Sequence, residues 1–401
     1  MDRERREEIL RTQRTDRWQR GEPHIGGYYG EEEIEVVVRT IRDSMDPNEG
    51  FGFICEEIEQ FERQFGEFCN ASECVSINGA GTGLDMAMMC LDLQPGDEVI
   101  VPAINFPGAA LSVIGQGGQV VWCEVDPRTF QADPEDVERC ITPRTRAIYP
   151  VHMNGMAAPI DDYLEIAGRH PHPQHGPLMV IGDAARSCGA GYKGQKIGGR
   201  AWMTIFSFHT MKNMTTLGEG GAVTTNDPEA AERLRAIRQF GGGGKQWGTN
   251  YKLTKVQAAV GLVQLARLDT MLEQRRNVAY ERNELLAGVE ELTLPYEPAD
   301  CWHTYYLYTC LVPEAWAGAK RDRIIAVMAD DYGVGCVVAN PPNYLSNAFL
   351  ARMTEGQRLP LSEQLGGRLL CVSMHPTMTT EDNEYICAAL ETTIERVREE
   401  G

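Results

Sequence analysis

From Cys74 to Asp183 the chain alternates short β-branched runs with stretches of helical periodicity, and that alternation constrains the fold more than any other feature of the sequence. Cys74-Val-Ser-Ile77 precedes the periodic Leu84, Met88 and Leu91. Glu98-Val-Ile-Val101 precedes Ala109 to Ile114, and Gln119-Val-Val-Trp122 precedes Pro134 to Cys140. Ala147-Ile-Tyr-Pro-Val151, a helical stretch from Ile160 to Ala167 and Leu178-Met-Val-Ile-Gly-Asp183 continue the series. Alternation of this length predicts an α/β fold with a mostly parallel sheet covered by helices on both faces. In such sheets ligands bind beyond the carboxyl ends of the strands, which says where to look for chemistry before any motif is considered.

Past Asn250 the texture changes. Apolar residues at helical spacing (Val256, Val260, Val263, Leu268, Leu272) predict one long helix from Thr254 to about Leu286. An apolar run from Tyr305 to Val312, a helix near Arg321 to Ala329, strands near Gly333 to Val338 and Leu369 to Val372, and a last helix from about Thr380 predict a smaller α+β domain. The expected organisation is therefore an N-terminal segment 1–30, a large domain 31–253, a connecting long helix 254–289 and a small C-terminal domain 290–401. A length of 401 residues at roughly 150 per domain allows two or three globular units.

Composition excludes several classes of function. Thirty-eight Lys and Arg against 58 Asp and Glu leave a formal charge of −20, a field that repels polyanions and anionic membrane, so nucleic acid is not expected as a partner. No run of about eighteen uncharged apolar residues could cross a bilayer, and the charged start Met-Asp-Arg-Glu-Arg-Arg has no apolar stretch of signal-peptide kind. The chain reads as cytoplasmic. Its twelve cysteines are scattered without a Cys-x-x-Cys pair and read as buried thiols. The sequon matches at Asn70 and Asn213 carry no weight without a secretion signal.

Two further signals mislead. Gly241-Gly-Gly-Gly-Lys245 suggests a phosphate loop, but the Gly-x-x-x-x-Gly-Lys-Ser/Thr order is absent and the run follows a helix, so a flexible loop is expected. His170, His172 and His175 sit among prolines without carboxylate spacing of zinc-site kind and read as a solvated turn.

The informative region is Ile181 to Thr224. Asp183 stands at the carboxyl end of a buried strand. The strand Met203 to Phe208 ends in His209-Thr-Met-Lys-Asn213. An aspartate and a lysine just past strand ends both point into the crevice, as a Schiff-base site requires. Pyridoxal phosphate must be anchored through a lysine, and its ring nitrogen must stay protonated for the ring to drain electrons from a carbanion. Asp183 is suited to hold that proton, and Lys212 to form the Schiff base and shuttle a proton. Gly79-Ala-Gly-Thr-Gly83, between a strand and a helix, offers a helix N-terminus to a phosphate, and Ser207 can add a hydroxyl. Phe106 follows another strand end, where an aromatic face can stack on a ring.

With these residues in place, the chain resembles the DegT/DnrJ/EryC1/StrS family of fold type I pyridoxal-phosphate enzymes, the sugar aminotransferases. The resemblance runs from Gly27-Tyr-Tyr-Gly-Glu-Glu-Glu-Ile34 through Gly96-Asp-Glu-Val-Ile-Val-Pro102, Asp183-Ala-Ala, the segment Phe206 to Ala222 around Lys212, and Gly248-Thr-Asn-Tyr-Lys-Leu253 to His375-Pro. It implies Lys212 as the catalytic Schiff-base lysine, Asp183 on the pyridine nitrogen and Phe106 on the ring. It also implies Gly81, Thr82, Gly83 and Ser207 around the phosphate, and Asn250 reaching the phosphate of a neighbouring subunit in a homodimer with shared active sites. The implied reaction moves an amino group from L-glutamate or L-glutamine, through pyridoxamine 5'-phosphate, to a keto-sugar, often nucleotide-linked, or a keto-cyclitol.

Departures from the family pattern keep alternatives open. Arg186 stands where Gln or His is usual, near the expected position of the cofactor's phenolic oxygen, where a permanent cation would favour the phenolate. Lys252 replaces a frequent Arg, and Asn340-Pro-Pro-Asn343 replaces a region that often carries His or Tyr. These fit a lyase or dehydratase of the same fold; a non-catalytic cofactor-fold binding protein is a third reading, against which the intact set of Lys212, Asp183 and Phe106 speaks. One subgroup becomes a dehydratase by exchanging the lysine for histidine, and Lys212 speaks against that here.

Overall fold

The computed structural model describes residues 1–13, 17–21, 26–48 and 53–400. Of the N-terminal segment expected over 1–30, residues 14–16 and 22–25 lie outside the described residues. Seven strands build the main sheet: β1 (Glu73–Ile77), β2 (Glu98–Pro102), β3 (Gln119–Cys123), β4 (Thr145–Ile148), β5 (Met179–Asp183), β6 (Met203–Ser207) and β7 (Gly221–Thr225), in the order β1-β7-β6-β5-β4-β2-β3. The pairs from β3 through β2, β4 and β5 to β6 are parallel. β7 is antiparallel to both β6 and β1, so β1 runs the same way as β6. Six carboxyl ends therefore face one edge of the sheet, together with the start of β7.

β2, β6 and β7 are buried along their whole length. Helices on both faces explain why every position of these strands is buried rather than every second one. On one face the helix Ala80–Leu91 lies against the sheet, with Leu84, Met86 and Ala87 packed in one core with Ile205 and Val223. On the other face the helix Glu56–Phe68 brings Phe65 edge-on to Phe206 and Phe208, with ring centroids 5.1 Å apart in each pair. That is a favoured aromatic geometry.

The helix Lys255–Leu286 begins where the side chains of Thr254 and Gln257 cap each other's backbone N–H groups. Its first half packs Ala258, Leu268 and Leu272 with the large core, and its end packs Val278, Ala279 and Leu286 with a second core. That second core lies around β8 (Tyr308–Leu311), β9 (Cys336–Val337) and β10 (Leu369–Val372), an antiparallel sheet ordered β8-β10-β9, with the helices Ala319–Tyr332 and Thr380–Glu399. Ile9, from the helix Arg3–Thr12, and Trp18 enter this same core, so the charged start of the chain docks on the C-terminal part. A small ribbon of Gly191–Tyr192, Gln195–Lys196 and Cys301–Trp302 has no strong sequence signature. Cys55, Cys140, Cys301 and Cys336 are half-buried and the other cysteines buried. Gly241–Gly244 forms a single turn whose Gly242 and Gly243 have φ of 59° and 82°. His170 meets Glu138 at 2.7 Å, and His172 pairs with Gly176 in a turn.

Candidate active site

The carboxyl edge of the sheet collects most of the expected residues. Asp183 ends β5, with its side chain 5% exposed. Its Oδ1 accepts the Ala185 N–H at 2.9 Å. Burial raises its pKa above the ordinary value, against the opposing pull of the Ala185 N–H and the charges of Lys212 and Arg186. The strand end is fixed from the side by His152, whose N–H donates to Asp183 O at 2.9 Å and whose Nδ1 accepts the Ala158 N–H at 2.9 Å. Burial pushes the His152 pKa down to about 3, so the ring is neutral. A Cβ on Gly182 would stand 2.9 Å from His152 Nε2, so glycine is what lets the ring approach.

β1 leads into the helix Ala80–Leu91, whose first N–H groups have no partner within the helix. Gly81 is exposed, with nothing within 4 Å of where a Cβ would stand, and Thr82 Oγ1 donates to Asn78 Oδ1 at 2.7 Å. Gly83, expected at the cofactor, faces the sheet instead. A Cβ there would meet Ile77 Cδ1 at 2.7 Å, and its N–H donates to Gly79 O at 3.3 Å. It is a packing glycine that lets the helix lie against β1, β6 and β7. Ser207, the last residue of β6, is buried, and its Oγ accepts the His209 N–H at 3.3 Å. The start of β7 closes on the same place, since a Cβ on Gly221 would stand 2.9 Å from Ala80 N.

Phe106 follows β2 and is 59% exposed. Beside it, Ile104 pairs with Pro342, and Asn343 N–H donates to Ala103 O at 2.9 Å, which brings the Asn340–Asn343 segment to the same edge. Arg186, in the turn after β5, is buried, and its Nη1 makes no hydrogen bond. Asn250 is exposed, on a strand-like stretch that pairs with Gln239, and its neighbour Tyr251 accepts the Asn78 N–H at 2.9 Å. The sheet edge thus gathers Asp183, Arg186, Ser207, Gly81, Thr82 and Phe106, while Asn250 points outward. Lys252 lies 5.3 Å from the Phe53 ring and 5.1 Å from that of Phe240, and burial lowers its pKa.

Lys212 sits half-buried in the loop after β6, and its Nζ donates to Tyr306 Oη at 3.3 Å. Tyr306 is 4% exposed, its ring centroid 4.8 Å from Lys212 Nζ and 5.8 Å from the Arg186 guanidinium carbon. A cation held over an aromatic face in this way is attracted to it. Above the loop passes Gly26, whose N–H donates to Thr210 O at 3.0 Å, and a Cβ there would collide with the carbonyl oxygens of Met211 and Lys212.

These segments meet at Arg275. Fully buried on the long helix, its guanidinium donates to Gly26 O at 2.5 Å, to Tyr306 O and Met374 O at 3.4 Å and to Tyr305 O at 3.5 Å. Burial pushes its pKa down to about 10.

Residues 31–391 match the model of the DegT/DnrJ/EryC1/StrS aminotransferase family. The chain belongs to that family. It is 35% identical over 342 residues to GDP-perosamine synthase of Caulobacter vibrioides, covering 83% of this chain and 89% of that protein. To dTDP-3-amino-3,4,6-trideoxy-alpha-D-glucose transaminase of Streptomyces venezuelae it is 34% identical over 370 residues, covering 91% and 93%. Among solved structures, the aminotransferase from Psychrobacter cryohalolentis superposes with a TM-score of 0.84 at 29% identity, over 92% of this chain and 98% of that one. This DegT/DnrJ/EryC1/StrS chain is thus a pyridoxal-phosphate-dependent aminotransferase of fold type I. Among its described residues no helix is long and apolar enough to cross a membrane.

The site of this family member suits its cofactor. The buried Nη1 of Arg186 without an acceptor, the buried carboxylate of Asp183, the open space at Gly81 and the exposed ring of Phe106 are what a phosphorylated pyridine would complete. Tyr306 and Arg275 escaped the sequence reading. Tyr306 lies inside an apolar run that reads as strand, and Arg275 binds only main-chain carbonyls, which leave no mark in a sequence.

Proposed function

We propose that this aminotransferase moves an amino group from L-glutamate or L-glutamine to a keto-sugar, often nucleotide-linked, or a keto-cyclitol. The observation that carries the reading is Lys212 beside the buried Asp183 at adjoining strand ends, in a chain whose relatives are named for amino-sugar products. Bound pyridoxal phosphate supplies an electron sink for a substrate carbon that has lost its proton. Lys212 Nζ would hold the cofactor and, when released, take up the proton from the amino donor's carbon and hand it back. The Asp183 carboxylate would face the ring nitrogen, whose positive charge supplies the partner that burial denies it. Arg186 would meet the phenolic oxygen and Phe106 would cover the ring, while the phosphate would rest on the Gly81 and Thr82 N–H groups and the Ser207 hydroxyl.

The active unit in this reading is a homodimer. Ile34, Val38, Ile41 and Met45 lie along one side of the helix Glu31–Asp43 and just past its end, 55%, 38%, 51% and 77% exposed. A row of that kind is left for a partner to cover, and Asn250 on the outside would serve the phosphate of the other subunit.

The purified protein carrying its cofactor should be yellow, and L-glutamate or L-glutamine alone should bleach it. A yellow protein that no amino acid bleaches would sink the reading. Mixing Lys212→Ala with Asn250→Ala subunits should restore activity to about a quarter of wild type, since only a mixed dimer with shared sites contains one intact site. No recovery after verified subunit exchange would place Asn250 in its own chain's site.

A further inference from the structure

We propose that Tyr306 is the positioning residue for the Lys212 amine: its hydroxyl accepts an N–H from Nζ and fixes where that nitrogen stands while it takes up and returns the proton. The inference rests on the reading of Lys212 given above. A lysine on a four-carbon stem samples many rotamers, whereas proton transfer needs the base within hydrogen-bond reach of one carbon. A partner on a rigid segment solves that problem, and Tyr306 has the required placement. Its Oη is 3.3 Å from Nζ, and its ring lies beneath the same amine at 4.8 Å.

The segment that bears it is rigid for visible reasons. Tyr305 has φ of +49°, a left-handed backbone that a tyrosine adopts only under constraint. It is constrained at both ends: its N–H donates to His303 Nδ1 at 2.8 Å and its hydroxyl to Glu297 at 3.2 Å, while its ring stacks on His303 at 4.1 Å. The next residues are tied to the large domain and to the long helix, with Leu307 N–H donating to Asn154 O at 3.1 Å and Arg275 donating to Tyr306 O. The left-handed turn therefore separates two tyrosines, one sealed in a polar network and the other delivered to Lys212. Arg186, Asp183 and Arg275 carry the other charges around the pair.

The test is Tyr306→Phe, which removes one oxygen and keeps the ring. In the cofactor-loaded protein it should slow single-turnover bleaching about tenfold, the fold-change of one lost hydrogen bond. The KM for the donor should stay unchanged, and the isotope effect from deuterium on the donor's α-carbon should grow. Without donor, the pH midpoint of the cofactor's visible band should move. Wild-type values for rate, isotope effect and midpoint would overturn the proposal. Should the variant melt early, 3-fluorotyrosine at position 306 keeps the shape and weakens the acceptor, and an isotope effect and midpoint unchanged there overturn it equally. If no donor bleaches the wild type, the reading of the reaction fails, and the band midpoint still decides whether Tyr306 governs Lys212.

Discussion

The floor and the roof of this site are built on opposite principles. The floor is the sheet edge, where the ends of β5 and β6 set Asp183 and Ser207 by strand register, and each side chain is placed by a regular element. The roof comes from Gly26, Tyr305-Tyr306 and Met374, segments far apart in sequence that converge on the guanidinium of Arg275. A floor held by a ladder of backbone bonds tolerates chemical change at a single side chain. A roof whose segments share one cation is more sensitive, because removing it takes a donor from several buried carbonyls at once.

The contrast is sharpest at Lys212, which springs from the floor and touches the roof. Lys212→Ala should abolish the visible cofactor band and lower amino transfer by about 10⁴-fold, with the melting temperature of the cofactor-free protein close to wild type. A large drop in that melting temperature would mean that Lys212 holds the two halves together rather than performing chemistry.

Asp183→Asn should lower the single-turnover rate by about 10²–10³-fold, a typical cost of losing one electrostatic stabiliser. In the cofactor-free protein the same change should stabilise. The folded pKa of Asp183 is raised by burial, so its contribution to stability is full below the unfolded value near about 4 and is lost as pH rises through the folded one. The gain in melting temperature should therefore appear at neutral pH and fade as pH falls toward about 4. A variant less stable than wild type at neutral pH would show the carboxylate to be a structural tie.

Arg275→Met addresses the roof. It should lower the unfolding free energy by about 3 kcal/mol, the scale of buried acceptors left unpaired, seen in urea denaturation of the cofactor-free protein. Activity should fall through weaker cofactor retention. An Arg275→Met protein of wild-type stability would show that the roof does not depend on that cation.

The same division governs what could be read from the chain. The floor was legible because strand ends, a lysine past one of them and an aspartate at another are marked by side-chain chemistry at defined positions. Gly83 shows the limit of such marking. It shares a motif with Gly81, but helical geometry turns one toward the crevice and the other into the sheet, a distinction that a string of glycines does not carry. β7 was hidden because Gly221-Ala-Val-Thr-Thr225 is short and its antiparallel pairing depends on partners distant in sequence. The roof is made of main-chain acceptors, and every residue has a carbonyl.

Gly26 precedes every strand of the sheet in synthesis, yet the cation that anchors it is 249 positions later and shares its grip with Met374. The sheet and its strand-end residues are complete once residue 225 has emerged. The pocket that encloses them must wait until Met374 has been made. Cofactor capture should thus come late in synthesis, and a nascent chain stalled before Met374 should retain no pyridoxal phosphate however well its sheet has formed.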